Sequence, residues 1–345
     1  MGKFVRAVVA WVVLFEWLAA RRGWRGLSWS GGAGGRPLVL ASGLGLLASL
    51  YGRWGRVALA APVGLAAQAA LASLRSQGMT PLTRMRAGSY PAYTIERVEI
   101  ALEGGVMPAL HVVPLGGAQK AACVIHGSGC DKTFYAWPLM DRLLRAGCAV
   151  LLVDMDGHGE NTRPQRFPGI LDDPRAGVAW LRERYERVGL LGISLGGCVS
   201  ARAVADGLAV DRLAVLESPP KLQFGRPDMW REASALPRLG LLYLFEEITA
   251  YNLIRAWKAS PIRAEISTWD LIDQLDLLGS LGRIQVPLLL LYGADDSIVK
   301  PWQALQVKQA KPAHAQFALV AGAAHVTLQL MPEALDHVEA WFRTL

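Results

Sequence analysis

The chain has 345 residues, 52% of them hydrophobic and 19% charged, with a mean hydropathy of +0.26; this composition excludes a disordered chain and leaves room for one large α/β domain beside a smaller unit. Four cysteines, at 123, 130, 148 and 198 and with no CxxC among them, exclude a disulfide scaffold and argue against a structural zinc site. The formal charge of +7 comes from residues 1–86, where eleven Lys and Arg face a single acid, Glu16, while the rest of the chain is net negative; these charges flank apolar runs, a membrane-surface pattern rather than a nucleic-acid one.

Three apolar runs occupy that N-terminal quarter: Phe4 to Ala20, Pro37 to Tyr51 and Val57 to Leu74. A span needs roughly 20 apolar residues, which the third run approaches best. Five of the twelve tryptophans, Trp11, Trp17, Trp24, Trp29 and Trp54, fall here, several near run ends where the headgroup layer suits an indole. Residues 1–86 are therefore expected to be an apolar, basic helical region that anchors the chain to a membrane. With three spans, seven basic residues lie on one side and four on the other. The positive-inside rule then puts the C-terminal domain on the cytoplasmic side.

From about Thr94 the pattern changes. Ile95 to Leu102 and Met107 to Val113 read as a hairpin around Glu103-Gly104-Gly105. Strands are expected at Ala121 to Ile125, Ala149 to Val153, Val188 to Ile193, Leu213 to Leu216, Pro287 to Leu291 and Phe317 to Val320. Helices are expected at Tyr135 to Ala146, Asp173 to Arg184, Leu195 to about Asp206, from Pro301, and Met331 to Phe342. Short apolar strands alternating with helices predict an α/β domain over residues 87–345, with a mostly parallel sheet covered by helices on both faces. The alternation stops over about 219–286, which reads as a helical cap insertion over the strand ends. Its apolar Leu242, Phe245 and Trp257 are candidate substrate-lining residues.

Gly192-Ile193-Ser194-Leu195-Gly196-Gly197 joins a strand to a helix. In that context G-x-S-x-G is a nucleophile elbow, which lifts Ser194 above the sheet at a helix N-terminus. A serine hydroxyl needs a base, and the base an orienting carboxylate. His325 follows the last strand, in Val320-Ala-Gly-Ala-Ala-His325, and Asp295 and Asp296 follow the strand before it. The expected order along the chain is Ser194, Asp296, His325. His126-Gly127-Ser128-Gly129 follows the first strand of the alternating series. The N–H of Ser128 is expected to join that of Leu195 in an oxyanion hole, and His126 to shape the loop. The alternating Asp154, Asp156, His158 and Glu160 raise a metal site, which the usual ligand geometries disfavour.

Together, His126-Gly-Ser-Gly129, Asp154-Met-Asp-Gly-His-Gly159, Gly192-Ile-Ser-Leu-Gly-Gly197, Gly293-Ala-Asp-Asp296 and His325 make residues 94–345 resemble the α/β-hydrolase family. The resemblance implies serine chemistry on an α/β-hydrolase fold, with no metal or organic cofactor. It selects Asp296 over Asp295 as the triad acid, because the family's acid commonly falls three residues after the glycine. Some relatives carry the acid after an earlier strand, where this chain has Glu217. The family holds esterases, lipases, thioesterases, peptidases and acyltransferases, and the fold does not choose among them. The expected function is a membrane-associated serine hydrolase acting on small-molecule or lipid acyl esters or thioesters. An acyltransferase with the same triad and a non-catalytic membrane scaffold are the alternatives.

Overall fold

In a computed structural model, a nine-stranded sheet runs in the order β1-β2-β3-β5-β4-β6-β7-β8-β9. The structure describes residues 88–89, 92–132, 136–235 and 262–345. The apolar N-terminal runs, the expected domain boundary near residue 87 and the candidates Leu242, Phe245 and Trp257 lie outside the described residues. Among the described residues, no helix is long and apolar enough to cross a membrane.

Strands β1 (Gly88–Ser89), β2 (Tyr93–Leu102) and β3 (Gly105–Pro114) form an antiparallel meander. A two-residue turn joins the last two, with Gly104 at φ 80°, a conformation that glycine adopts without a Cβ penalty. Strand β3 pairs antiparallel with β5 (Cys148–Val153). The remaining strands are parallel: β4 (Lys120–Ile125), β6 (Arg187–Ile193), β7 (Arg212–Leu216), β8 (Leu288–Gly293) and β9 (Gln316–Val320). Every residue of β5 and β8 is buried, which is why these strands read as unbroken apolar runs rather than alternating ones.

The helices are α1 (Ala136–Arg145), α2 (Asp172–Arg182), α3 (Leu195–Ala205), α4 (Arg226–Ala235), α5 (Thr268–Leu275), α6 (Leu277–Leu281), α7 (Pro301–Ala310) and α8 (Pro332–Arg343). Helix α1 packs against α8, and α3 packs against α2, α5 and α6. Strand β4 pairs with both β5 and β6, so the strand order reverses there. Right-handed crossovers on either side of β4 carry their helices to opposite faces of the sheet. The crevice at such a reversal, beyond the C-terminal strand ends, is where open α/β sheets bind ligands.

Helices α5 and α6, at the C-terminal end of the expected cap of about 219–286, bury Leu271, Ile272, Leu275, Leu277 and Leu281 in the main core, packed on α3. Ser267 caps α5 by accepting from the N–H of Asp270.

A buried ion pair ties the loop after β4 to the turn after β5. The Lys132 ammonium pairs with Asp154 and, at 2.9 Å, with Glu160. The Asp154 carboxylate also accepts the backbone N–H groups of Lys132 and Glu160, each at 2.8 Å. Both Lys132 and Asp154 side chains are wholly buried. Lys132→Met is expected to strand the Asp154 charge and lower stability by about 3–5 kcal/mol. The double variant with Asp154→Asn should recover part of that loss, and urea unfolding of both proteins checks it.

Candidate active site

Ser194 sits between β6 and α3 at φ 53° and ψ −118°, a strained backbone region that costs about 1–3 kcal/mol and persists only where the surroundings enforce it. Its N–H donates to the Leu216 carbonyl on β7 at 2.8 Å, and the neighbouring glycines supply the rest. A Cβ on Gly196 would press into the carbonyls of Ile125 and His126, and one on Gly192 into the backbone of Gly196 and Gly197. The turn is therefore sharp because no side chain obstructs it, and β4 passes close enough to lock it.

The loop after β9 brings His325 to this serine. The His325 Nε2 lies 3.2 Å from Ser194 Oγ, and its Nδ1 lies 2.8 Å from Asp296 Oδ2. Asp296 is wholly buried at its side chain, and its Oδ1 accepts the N–H groups of Ile298 at 2.8 Å and Val299 at 2.7 Å. With Nδ1–H donating its hydrogen bond to the carboxylate, Nε2 is left as an acceptor for the serine hydroxyl. Burial by itself would depress the His325 pKa. The charges of Asp296 and Glu217, the hydrogen bond that the ring donates to Asp296 and the charge of Glu232 outweigh it and raise the pKa to about 10. Asp295 is exposed, and its N–H donates to the Ala323 carbonyl at 2.8 Å, which joins the two loops through the backbone.

Glu217, the alternative acid, is buried in the same cluster. It ends β7 at φ 51°, and its Oε2 accepts from Gln329 Nε2 at 3.0 Å. Burial raises its pKa well above the usual carboxylate range; the His325 charge opposes this and the Asp296 charge adds to it. Glu217, Asp296 and His325 each place a potential ligand atom within 4.8 Å of the other two, as no other group of three does among the described residues. Two of those atoms are already joined by the hydrogen bond between ring and Asp296, and the outer ring nitrogen faces the serine. The arrangement is suited to moving a proton. Asp154, Asp156 and their neighbours are taken up by Lys132, Asn161 and Arg163.

The loop after β4 covers the other side of the serine. A Cβ on Gly127 would lie 3.3 Å from Ser194 Cβ, so this backbone passes directly beside the nucleophile position. His126 Nε2 accepts from the Met155 N–H at 3.1 Å, which leaves its Nδ1 to donate to the Gly127 carbonyl at 2.8 Å. The imidazole thus braces the loop and does not reach for substrate. Among the described residues no backbone carbonyl takes the N–H of Ser128 or of Leu195. The Ser128 hydroxyl lies 3.4 Å from that of Thr268. Sequence reasoning did not single out Thr268, Gln329 or Glu232. None stands in a motif; Thr268 and Glu232 come from elements distant along the chain, and Gln329 lies in the turn just after His325.

Comparisons with known proteins agree with this architecture. Two Mycobacterium tuberculosis proteins described only as uncharacterized, one from each of two strains, are each 27% identical over 228 residues, 64% of this chain. The match spans 66% of their length. An esterase of Pyrococcus furiosus aligns with a TM-score of 0.52 at 22% identity, covering 73% of this chain and 91% of its own. A bromoperoxidase of Bacillus anthracis aligns at 0.56 and 18% identity, and an enol-lactonase of Burkholderia xenovorans at 0.54 and 19%; each alignment covers 72% of this chain and 100% of the other. At such identities these likenesses speak to the fold, and the three differently named activities show how little the fold alone decides. Residues 124–337, more than half the chain and spanning the serine, aspartate and histidine just described, match the profile of the Alpha/beta hydrolase family, and the chain belongs to that family.

Proposed function

We propose that the chain is a membrane-associated serine hydrolase that cleaves acyl ester or thioester bonds, with Ser194, His325 and Asp296 as its triad. The hydrogen-bonded chain from Ser194 through His325 to buried Asp296 carries this reading. Neutral His325 takes the Ser194 proton as the oxygen attacks the substrate carbonyl. Asp296 holds the ring in the tautomer that leaves Nε2 free, and stabilises the imidazolium. The N–H groups of Leu195 and Ser128 receive the oxyanion, each such donor being worth about 100- to 1000-fold in rate. The imidazolium then returns its proton to the departing alcohol or thiol. Water activated by the same ring releases the acid from the acyl-enzyme.

The basic, apolar residues 1–86 support a membrane location with the catalytic domain on the cytoplasmic side, and with it a lipid-like acyl substrate. Leu242, Phe245 and Trp257 are the proposed acyl-lining residues. Two measurements test the reading. A fluorophosphonate probe applied to fractionated membranes should label the chain in the membrane fraction. In a series of p-nitrophenyl esters and matching thioesters, long acyl chains should give a higher kcat/KM than acetyl. Equal rates, or a preference for acetyl, would overturn the lipid-like substrate, and product found on an added acceptor instead of water would identify acyl transfer.

A further inference from the structure

The carboxylate of Glu232, on α4, is 2% exposed and contacts two catalytic loops at once. Its Oε1 accepts the Ser297 N–H at 2.7 Å and the Ser297 hydroxyl at 2.6 Å. Its Oε2 accepts the Val326 N–H at 3.1 Å. Ser297 adjoins Asp296, and Val326 adjoins His325. We propose that Glu232 is a positioning residue, a clamp that holds the acid-bearing loop after β8 and the base-bearing loop after β9 in register so that His325 stays over Ser194. The inference rests on the serine-hydrolase reading.

Glu232 divides its two oxygens between the residues next to the two proposed triad members. Helix α4 lies in the insertion after β7, so the clamp makes the site's geometry depend on how the insertion is seated. The charges facing His325 come from three elements: Asp296 after β8, Glu217 at the end of β7 and Glu232 on α4. Removing the last lowers the proton affinity of the ring.

The test uses the full chain, purified in detergent, and compares wild type with Glu232→Gln, Glu232→Asp and Ser297→Ala. Glutamine keeps the size of the side chain but offers one oxygen, so one loop loses its acceptor and meets an NH2 group. We expect kcat to fall about 100-fold, the loss typical of a displacement of about 1 Å, with KM little changed. The acidic limb of the kcat/KM profile should move to lower pH. Glu232→Asp restores the charge and should return the limb toward its wild-type position. Ser297→Ala removes the hydroxyl that lies 2.6 Å from Glu232 Oε1 and 2.9 Å from the Asp228 carbonyl, keeps the Ser297 N–H bond to Glu232, and should cost about tenfold; it decides the matter if the glutamine variant does not fold. Unchanged kcat and an unmoved pH limb in the folded variants, whatever their melting temperature, would overturn the clamp. Absence of fluorophosphonate labelling in the wild type would instead overturn the serine-hydrolase reading beneath it.

Discussion

Replacing Ser194 with alanine is expected to abolish fluorophosphonate labelling and to lower kcat by about 10⁶-fold, the size of loss seen when a triad serine is removed. The expectation follows from the division of labour in the site. The His325 Nε2 faces Ser194 Oγ at 3.2 Å, so removing that oxygen leaves the ring without the group whose attack forms the acyl-enzyme. What survives in the alanine variant is binding and the two N–H donors, which together leave about 10³- to 10⁴-fold over water. The turn itself should persist, because it is held by the Ser194 N–H on Leu216 and by the close approach of Gly196 to β4, neither of which uses the hydroxyl. Near-UV and far-UV circular dichroism should therefore match the wild type. A variant that retains more than about 1% of activity would show that the reaction does not pass through this oxygen.

The sheet was legible because strands buried on both faces are short apolar runs, and their length and flanking turns separate them from buried helices. Runs such as Cys148–Val153 and Leu288–Gly293 are apolar at every position and are bounded by turn residues. Helix α3 and the serine turn were legible for a steric reason: Gly192, Gly196 and Gly197 occupy places where a Cβ would strike backbone or Ser218. A requirement that strict leaves its mark on the sequence. The two-residue strand β1 is too short to carry any periodicity. The packing of α5 was not legible, because Leu271, Ile272 and Leu275 look alike whether their helix covers a cleft or, as here, lies against α3 in the main core.

The polar surroundings of the triad were least legible. Asp296 could be found because it follows a strand and a glycine, but Glu232 and Gln329 act across 65 to 112 positions of sequence separation, and nothing in their local sequence marks them. Asp295 and Asp296 are indistinguishable by type. The backbone separates them, turning Asp296 inward to meet the N–H groups of Ile298 and Val299 while Asp295 faces solvent. Glu217 could be picked out only by resemblance. The structure adds that it lies within the same cluster as Asp296 and His325 and hydrogen-bonds Gln329.

Asp296→Asn should cost about 10⁴-fold in kcat with the fold intact, as carboxylate-to-amide changes do when they fix the wrong histidine tautomer. The direction is dictated by two backbone donors. Ile298 and Val299 point their N–H groups at Oδ1, so the amide oxygen of asparagine must stay there and its NH2 must face His325. Nδ1 then becomes an acceptor and the proton moves to Nε2, where the ring can no longer take a proton from Ser194. The pH profile should change with it. In the wild type burial depresses the His325 pKa, but Asp296 and its charged neighbours raise it to about 10, so kcat/KM should climb with pH as the neutral ring appears and level off near that value. Without the Asp296 charge and the hydrogen bond to it the pKa falls, which moves the acidic limb to lower pH while the plateau drops. Glu217 supplies the contrary outcome. A loss of less than about tenfold in Asp296→Asn, with activity abolished in the double variant with Glu217→Gln, would make Glu217 the carboxylate that orients the ring, because the pairing with Asp296 alone predicts the full loss.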